Sequence, residues 1–189
     1  MEIIETILNE QEKLGIDFNL IFISKSGENL DTLENIKLPE SLIVFYCSAN
    51  NLTSLIKLPN ALKDLDCSSN KITSLDNLPD GLIILNCSNN KIECLNNLPT
   101  NLIELECQNN IELKIHDFLP SNLNNLDCSC SRIIALDNLT NNLNILRCDN
   151  NYIQFFDNLP SSLKELVCCH NLYETLEHIP ASINFIIID

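Results

Sequence analysis

LPNALKDLDCSSNKITSLDN, residues 58–77, is one copy of a unit that recurs along most of the chain. The Leu-Pro pair returns as Leu38-Pro39, Leu58-Pro59, Leu78-Pro79, Leu98-Pro99, Leu119-Pro120 and Leu159-Pro160, with Ile179-Pro180 as the last copy and Leu139-Thr140 filling the one gap. The step is 20 residues, once 21, and all seven prolines of the 189-residue chain occupy this slot. An internal repeat of this period decides the architecture before any single element is assigned.

Leu65 and Cys67 alternate at period two, so they point to one face of a short strand while Asp64 and Asp66 point to the other. Leu62, Ile72, Leu75 and Leu78 supply further inward positions as the chain turns back. A coil of 20 residues cannot enclose a core alone, whereas stacked coils bury a continuous one and pair their strands in parallel. Proline is read as opening each back segment, where it favours an extended path and donates no hydrogen bond, so the convex side is expected to be irregular rather than helical. Eight strands are expected. Asparagine recurs one turn after the strand, at Asn50, Asn70, Asn90, Asn110, Asn151 and Asn171, where its amide can satisfy the backbone of a buried turn. Ser131 takes this slot in the fifth repeat and predicts a local weakness. The extra residue between Asn110 and Leu119 reads as a bulge on the convex side.

The motif LxxLxCxxNxI resembles the leucine-rich repeat, and the 20-residue period with its Leu-Pro step resembles the short LPX class found in effector proteins of Gram-negative pathogens, with similar repeats in giant DNA viruses of amoebae. The resemblance implies a repeat solenoid with a parallel β-sheet on its concave face. It covers residues 38–189, which reads as seven full repeats and a truncated eighth. Residues 1–37 read as an N-terminal cap: Ile3, Ile4, Ile7, Leu8, Gln11 and Leu14 approximate a helical apolar stripe closed by Gly15, and a strand-like run follows at residues 18–23.

Composition removes several classes of function. Gly15, Gly27 and Gly81 are the only glycines, and no phosphate-cradling glycine pattern exists. The formal charge of −15, from 26 acidic and 11 basic residues, argues against nucleic acid as a ligand and for a basic partner. The first 14 residues carry four glutamates and no apolar core of a signal peptide, and no apolar run approaches the length of a membrane helix. The expected setting is therefore cytoplasmic, or the host cytosol for a viral or effector protein.

Seven of ten cysteines share the strand slot: Cys47, Cys67, Cys87, Cys107, Cys128, Cys148 and Cys168. They read as a ladder of small buried hydrophobes whose parallel side chains suit disulfide geometry poorly. Cys128-x-Cys130 and Cys168-Cys169-His170 look like metal ligands, but Cys128 and Cys168 should face inward and Cys130 lies two repeats from Cys169, so no metal or cofactor is expected. His116, His170 and His178 fall in no recognisable catalytic arrangement, and no enzymatic activity is expected.

The residues between the buried strand positions form two concave columns. Tyr46, Asp66, Asn86, Glu106, Asp127 and Arg147 stand in one, and Val44, Asp64, Ile84, Glu104 and Ile145 are taken from the other. These eleven are the candidate partner-binding residues of a non-enzymatic protein-interaction scaffold. The resemblance also admits a substrate-recognition subunit or truncated relative of a ubiquitin-ligase effector, acting with a catalytic partner in trans. A third reading is self-association through the last strand, residues 183–188, where Ile183, Ile186 and Ile188 follow Ile179-Pro180 with no polar cap.

Overall fold

The computed structural model of the chain describes residues 22–115, 119–176 and 178–189. Nine three-residue strands run in chain order: β1 Phe22–Ser24, β2 Val44–Tyr46, β3 Asp64–Asp66, β4 Ile84–Asn86, β5 Glu104–Glu106, β6 Asn125–Asp127, β7 Ile145–Arg147, β8 Glu165–Val167 and β9 Phe185–Ile187. They form one parallel sheet in which each strand pairs with its neighbours in sequence. Register follows the repeat. Asp64 pairs with Ile84 and Ile84 with Glu104, while the Glu104–Asn125 pair absorbs the extra residue of the fourth repeat. At the usual spacing of about 4.8 Å, nine strands give a sheet about 38 Å across.

The ninth strand, β1, overlaps the strand-like run expected at residues 18–23 of the cap and adds to the eight strands expected of the repeats. β1 pairs with β2 through Phe22–Val44, so the sheet starts within the stretch assigned to the cap. Leu33 is buried between them, with Leu30 and Ile36 packed against the core. The apolar stripe expected before Gly15 lies outside the described residues.

In β2 to β8 the middle residue of the strand and the cysteine after it point inward. Phe45, Leu65, Leu85, Leu105, Leu126, Leu146 and Leu166 are buried, as are the seven ladder cysteines, and all form one continuous apolar core. No helix occurs on the convex side among the described residues. Proline does not open the back segment but closes it. The Pro59 carbonyl accepts the Leu62 N–H at 3.1 Å and the Pro79 carbonyl accepts that of Leu82 at 3.1 Å, a turn that delivers the chain into the next strand. Thr140 keeps the same turn through its own carbonyl and ties it to the previous coil, its Oγ1 donating to the Ser121 carbonyl at 3.1 Å.

The scarcity of glycine follows from the turn after each strand. Ala49, Ser69, Asn89, Asn109, Cys130, Asn150 and His170 all take a left-handed φ of about 55° in one repeated slot. Lys57, Asn77, Asn97 and Asn138 do so again before the Leu-Pro or Leu-Thr step. Asparagine is the side-chain-bearing residue that tolerates this region best, and it holds six of these eleven positions.

The asparagine ladder laces the coils together. Asn70 Nδ2 donates to the carbonyls of Cys47 and Cys67, both at 3.0 Å, while its Oδ1 accepts the Leu52 N–H at 2.9 Å. Each amide thus bonds backbone of its own coil and of the coil before it. Ser131 does only part of this work: its Oγ accepts the Asn110 N–H at 3.3 Å and donates to the Ser129 carbonyl at 3.0 Å.

Candidate functional site

The concave face is built by the strand residues on either side of each buried leucine. In the first column, Tyr46, Asp66, Asn86 and Asp127 are half-buried, while Glu106 and Arg147 are exposed. In the second, Ile84, Glu104 and Ile145 are half-buried, but Val44 is only 2% exposed and Asp64 only 4%. Val44 and Asp64 therefore offer a partner almost no surface. Phe22 explains part of this closure. Its ring meets Tyr46 edge to face with centroids 5.3 Å apart, and the Tyr46 hydroxyl donates across to Asp64 Oδ2 at 3.3 Å. Sequence reasoning missed Phe22 because β1 lies outside the clear 20-residue register.

Burial sets the electrostatics of Asp64. Desolvation, reinforced by Asp66 and Glu104, outweighs the Tyr46 hydrogen bond and lifts its carboxyl to about 6. The Tyr46 hydroxyl is pushed up to about 12, by burial first and Asp64 second. A carboxyl whose folded value is raised favours the folded state in its protonated form. Its contribution is complete below pH ~4 and is lost as pH rises through about 6. At neutral pH the charge on Asp64 is a net cost, and Asp64→Asn should raise stability by about 1–2 kcal/mol, discounted from the full shift for residual screening. Urea midpoints at pH 7.5 and pH 4.5 check this: the gain should shrink at the lower pH, and an equal gain at both would contradict it.

The remaining carboxylates are held by neutral donors. Asn86 Nδ2 donates to Glu106 Oε2 at 2.8 Å, and Asn125 Nδ2 to Glu104 Oε1 at 3.3 Å. The Ser68 N–H serves Asp66 at 2.9 Å, and the Ser129 hydroxyl serves Asp127 at 2.6 Å. Among the described residues, none of these four carboxylates forms an ion pair with Lys or Arg. Glu106 is consequently pushed above the ordinary carboxylate range, by burial and then by Asp127, Asp66 and Glu104, with Arg147 opposing. The acceptors outnumber the donors here, and Asn125 Oδ1 accepts no hydrogen bond.

All ten cysteines are free thiols. Cys128 is buried and Cys130 half-buried. Cys169 and His170 meet a third group that the sequence does not reveal, because it sits one repeat on. Their ligand atoms and a carboxylate oxygen of Asp189 lie within 4.8 Å of one another. His170 takes up that carboxylate, through its Nδ1 at 3.1 Å and its backbone N–H at 2.8 Å. Burial and the carboxylates of Asp149 and Asp189 push the Cys169 thiol up, opposite to the direction of a reactive thiol. His178 Nδ1 lies 3.1 Å from Asp157 on an exposed surface, and His116 lies outside the described residues. No helix among the described residues is long and apolar enough to cross a membrane.

No family model matches the sequence, and no curated protein does. Solved structures do match. YopM from Yersinia enterocolitica WA-314 superposes with a TM-score of 0.75 at 32% identity, covering 81% of this chain and 34% of that one. The chain is a leucine-rich repeat protein of the LPX type. A functional domain of InlJ from Listeria monocytogenes, described as including a cysteine ladder, matches this leucine-rich repeat chain with a TM-score of 0.58 at 26% identity, over 79% of this chain and 44% of that one. A Shigella effector leucine-rich repeat domain shares the fold at 22% identity, with a TM-score of 0.53 over 82% of this chain and 70% of that one. The chain spans about a third of the YopM structure and less than half of the InlJ structure.

Proposed function

We propose that this leucine-rich repeat protein is a non-enzymatic interaction scaffold whose concave face binds a basic surface of another protein. The observation that carries the reading is the stack of Asp66, Glu106 and Asp127 with Glu104 beside it, unpaired with any Lys or Arg among the described residues. Glu106 and Asp127 are direct neighbours in register and repel, while Asp66 stands two strands from Glu106 across Asn86, so the bare group costs stability that a basic partner returns on binding. Ile84 and Ile145 flank it as apolar anchors, in keeping with the mixture of apolar contact and polar surround that interfaces use. The ten free thiols accord with a reducing compartment, and the proposed setting is a cytosol, that of the host for an effector or viral protein. Self-association through the outer edge of β9 belongs to the same proposal, since Phe185, Ile186 and Ile187 stand exposed there.

The test compares wild type with the Asp66→Lys, Glu106→Lys double variant in binding to a panel of Lys/Arg-rich peptides and to proteins captured and identified by mass spectrometry. Both positions lie in the sheet's outward column and the substitutions relieve like-charge repulsion, so the variant should stay folded and melt no lower than wild type by circular dichroism. At the true partner, affinity should fall by at least roughly tenfold, and the remaining affinity should lose its salt dependence. Equal affinity for both proteins would place binding on another face. Light scattering of the free protein in the same series reports the β9 edge, where a monomer at high concentration excludes self-association.

A further inference from the structure

The large apolar side chains that the coil leaves most exposed, away from β1 and β9, do not lie on the concave face. They are Ile111, Ile134, Tyr152, Phe155 and Leu172, all on back segments of the fourth to seventh repeats. Phe155 is 71% exposed and Ile134 67%. The fold does not require apolar residues there. The slots of Ile111, Tyr152 and Leu172, one past the ladder asparagine, hold Lys71 and Lys91 in earlier repeats, and the slots of Ile134 and Phe155 hold Thr73 and Ser74. From the fourth repeat on, large apolar residues enter these exposed positions, with Arg132, Gln154 and Glu174 standing as polar residues among them.

These side chains line one path. A cleft of about 260 Å³ between Ile111, Tyr152 and Ile134 adjoins one of about 210 Å³ that shares Ile134 and reaches Phe155. That in turn adjoins one of about 530 Å³ running from Phe155 past Leu172 to His178. The path is also polar along its length. Lys114 and Arg132, with Glu112, stand at the first cleft, whereas Asp137 stands at the middle one and Asp157 and Glu174 at the last, where His178 Nδ1 lies 3.1 Å from Asp157. Neither Lys114 nor Arg132 makes an ion pair or a side-chain hydrogen bond among the described residues. In a chain of net charge −15, an excess of cations beside the most exposed aliphatic groups is a local reversal of sign.

We propose that this back-segment groove is a second binding site, for an extended segment of another protein with aliphatic side chains at alternate positions, an acidic residue at its Lys114/Arg132 end and a basic residue at its Asp157/Glu174 end. Crossing three repeat steps at about 4.8 Å or more each requires roughly five to seven extended residues. Apolar anchors supply affinity and the two charged ends fix direction, the division of labour seen where extended peptides are recognised. The site is separate from the concave face, so it stands whether or not the scaffold reading of that face holds.

The test is selection from a random heptapeptide library displayed on phage, followed by titration of the enriched peptides in synthetic, fluorescently labelled form. Enriched peptides should carry two or more aliphatic residues at alternate positions with Asp or Glu towards one end. They should bind the Ile134→Ser, Phe155→Ser variant at least tenfold more weakly than wild type. Because both side chains are exposed, that variant should keep the wild-type melt. A milder Phe155→Leu variant, retaining an apolar group, should recover most of the binding. The concave variant Asp66→Lys, Glu106→Lys should bind these peptides like wild type. No enrichment, enrichment of peptides that only the concave variant loses, equal binding by the groove variant, or a dimer that the groove variant dissolves would each overturn the proposal.

Discussion

Asn90→Asp should be among the most damaging conservative substitutions in the protein, costing about 4 kcal/mol at neutral pH. Asn90 Nδ2 donates to the carbonyls of Cys67 and Cys87 at 3.0 Å and of Ser88 at 3.2 Å, while Oδ1 accepts the Ile72 N–H at 2.9 Å. Aspartate has the same shape but no donors, so its second oxygen meets carbonyl oxygens inside a turn that excludes water. Its folded value must rise above the unfolded one near 3.9, because only the protonated form can donate there. The loss is therefore smallest below pH ~4, where one O–H replaces the two amide N–H groups, and grows as pH rises through the folded value. Asn90→Ala should cost less, about 2–4 kcal/mol, because each carbonyl keeps another donor: Asn70 Nδ2 for Cys67, Asn110 Nδ2 for Cys87 and the Ser69 N–H for Ser88. Only the Ile72 N–H loses its acceptor. Asn89→Asp, one residue away and exposed, should change stability by less than about 0.5 kcal/mol. Urea unfolding of the three variants at two pH values reads all of this, and an Asn90→Asp protein as stable as wild type at pH 7.5 would mean that the ladder does not hold the turns.

The inward half of the molecule was legible because two periods coincide in it. Period two separates Leu65 and Cys67 from Asp64 and Asp66, and period 20 repeats that assignment, so buried leucines, cysteines and asparagines could be named without coordinates. The outward half obeys neither rule. Asp64 and Glu104 occupy equivalent positions, yet Asp64 is buried and Glu104 half-exposed, because Phe22 and Tyr46 close one end of the face and nothing in the repeat encodes an end. Asp189 joins Cys169 and His170 for a related reason: stacking places residues 20 apart side by side, a distance at which sequence inspection does not look for ligands. The back segments have no side-chain alternation at all. Which of Ile133 and Ile134 enters the core depends on the path of the coil, which buries the first and exposes the second. Proline was located correctly and its role misassigned, since an extended residue fits either end of a back segment and only the Pro59–Leu62 hydrogen bond tells them apart.

Thiol labelling should divide the cysteines into two kinetic groups, separated by about a thousandfold for interior thiols such as Cys47 and Cys87 and by about a hundredfold for Cys168 at the end of the ladder. Cys94 is exposed and should react first with an alkylating reagent, Cys130 and Cys169 are half-buried with thiols pushed up by burial and by Asp149 and should follow it, whereas the seven ladder thiols are buried. Burial pushes Cys47 and Cys87 from an ordinary value near 9 to about 12, with Asp66 contributing at Cys47. Three units cut the thiolate fraction about a thousandfold at a given pH, before any steric exclusion is counted. Cys67 and Cys107 also donate to the carbonyls of Asn86 and Asp127, at 3.4 and 3.3 Å, contacts that a thiolate would forfeit. The ladder thiols should then react only when their coil opens, which turns seven equivalent positions into seven local stability probes. In a linear array each coil touches only its neighbours, so opening should spread from weak points rather than occur at once. Cys168 should label first, since it lies beside the exposed β9 and its thiol is raised only to about 11. Cys107 and Cys128 should follow, as they flank the junction where Ser131 replaces a ladder asparagine, and Cys67 and Cys87 should come last. Mass spectrometry of the labelled peptides over time gives the order. A single rate shared by all seven would show that the solenoid opens as one cooperative unit, and a Cys87 that labels as fast as Cys94 would show that the ladder is not a packed core.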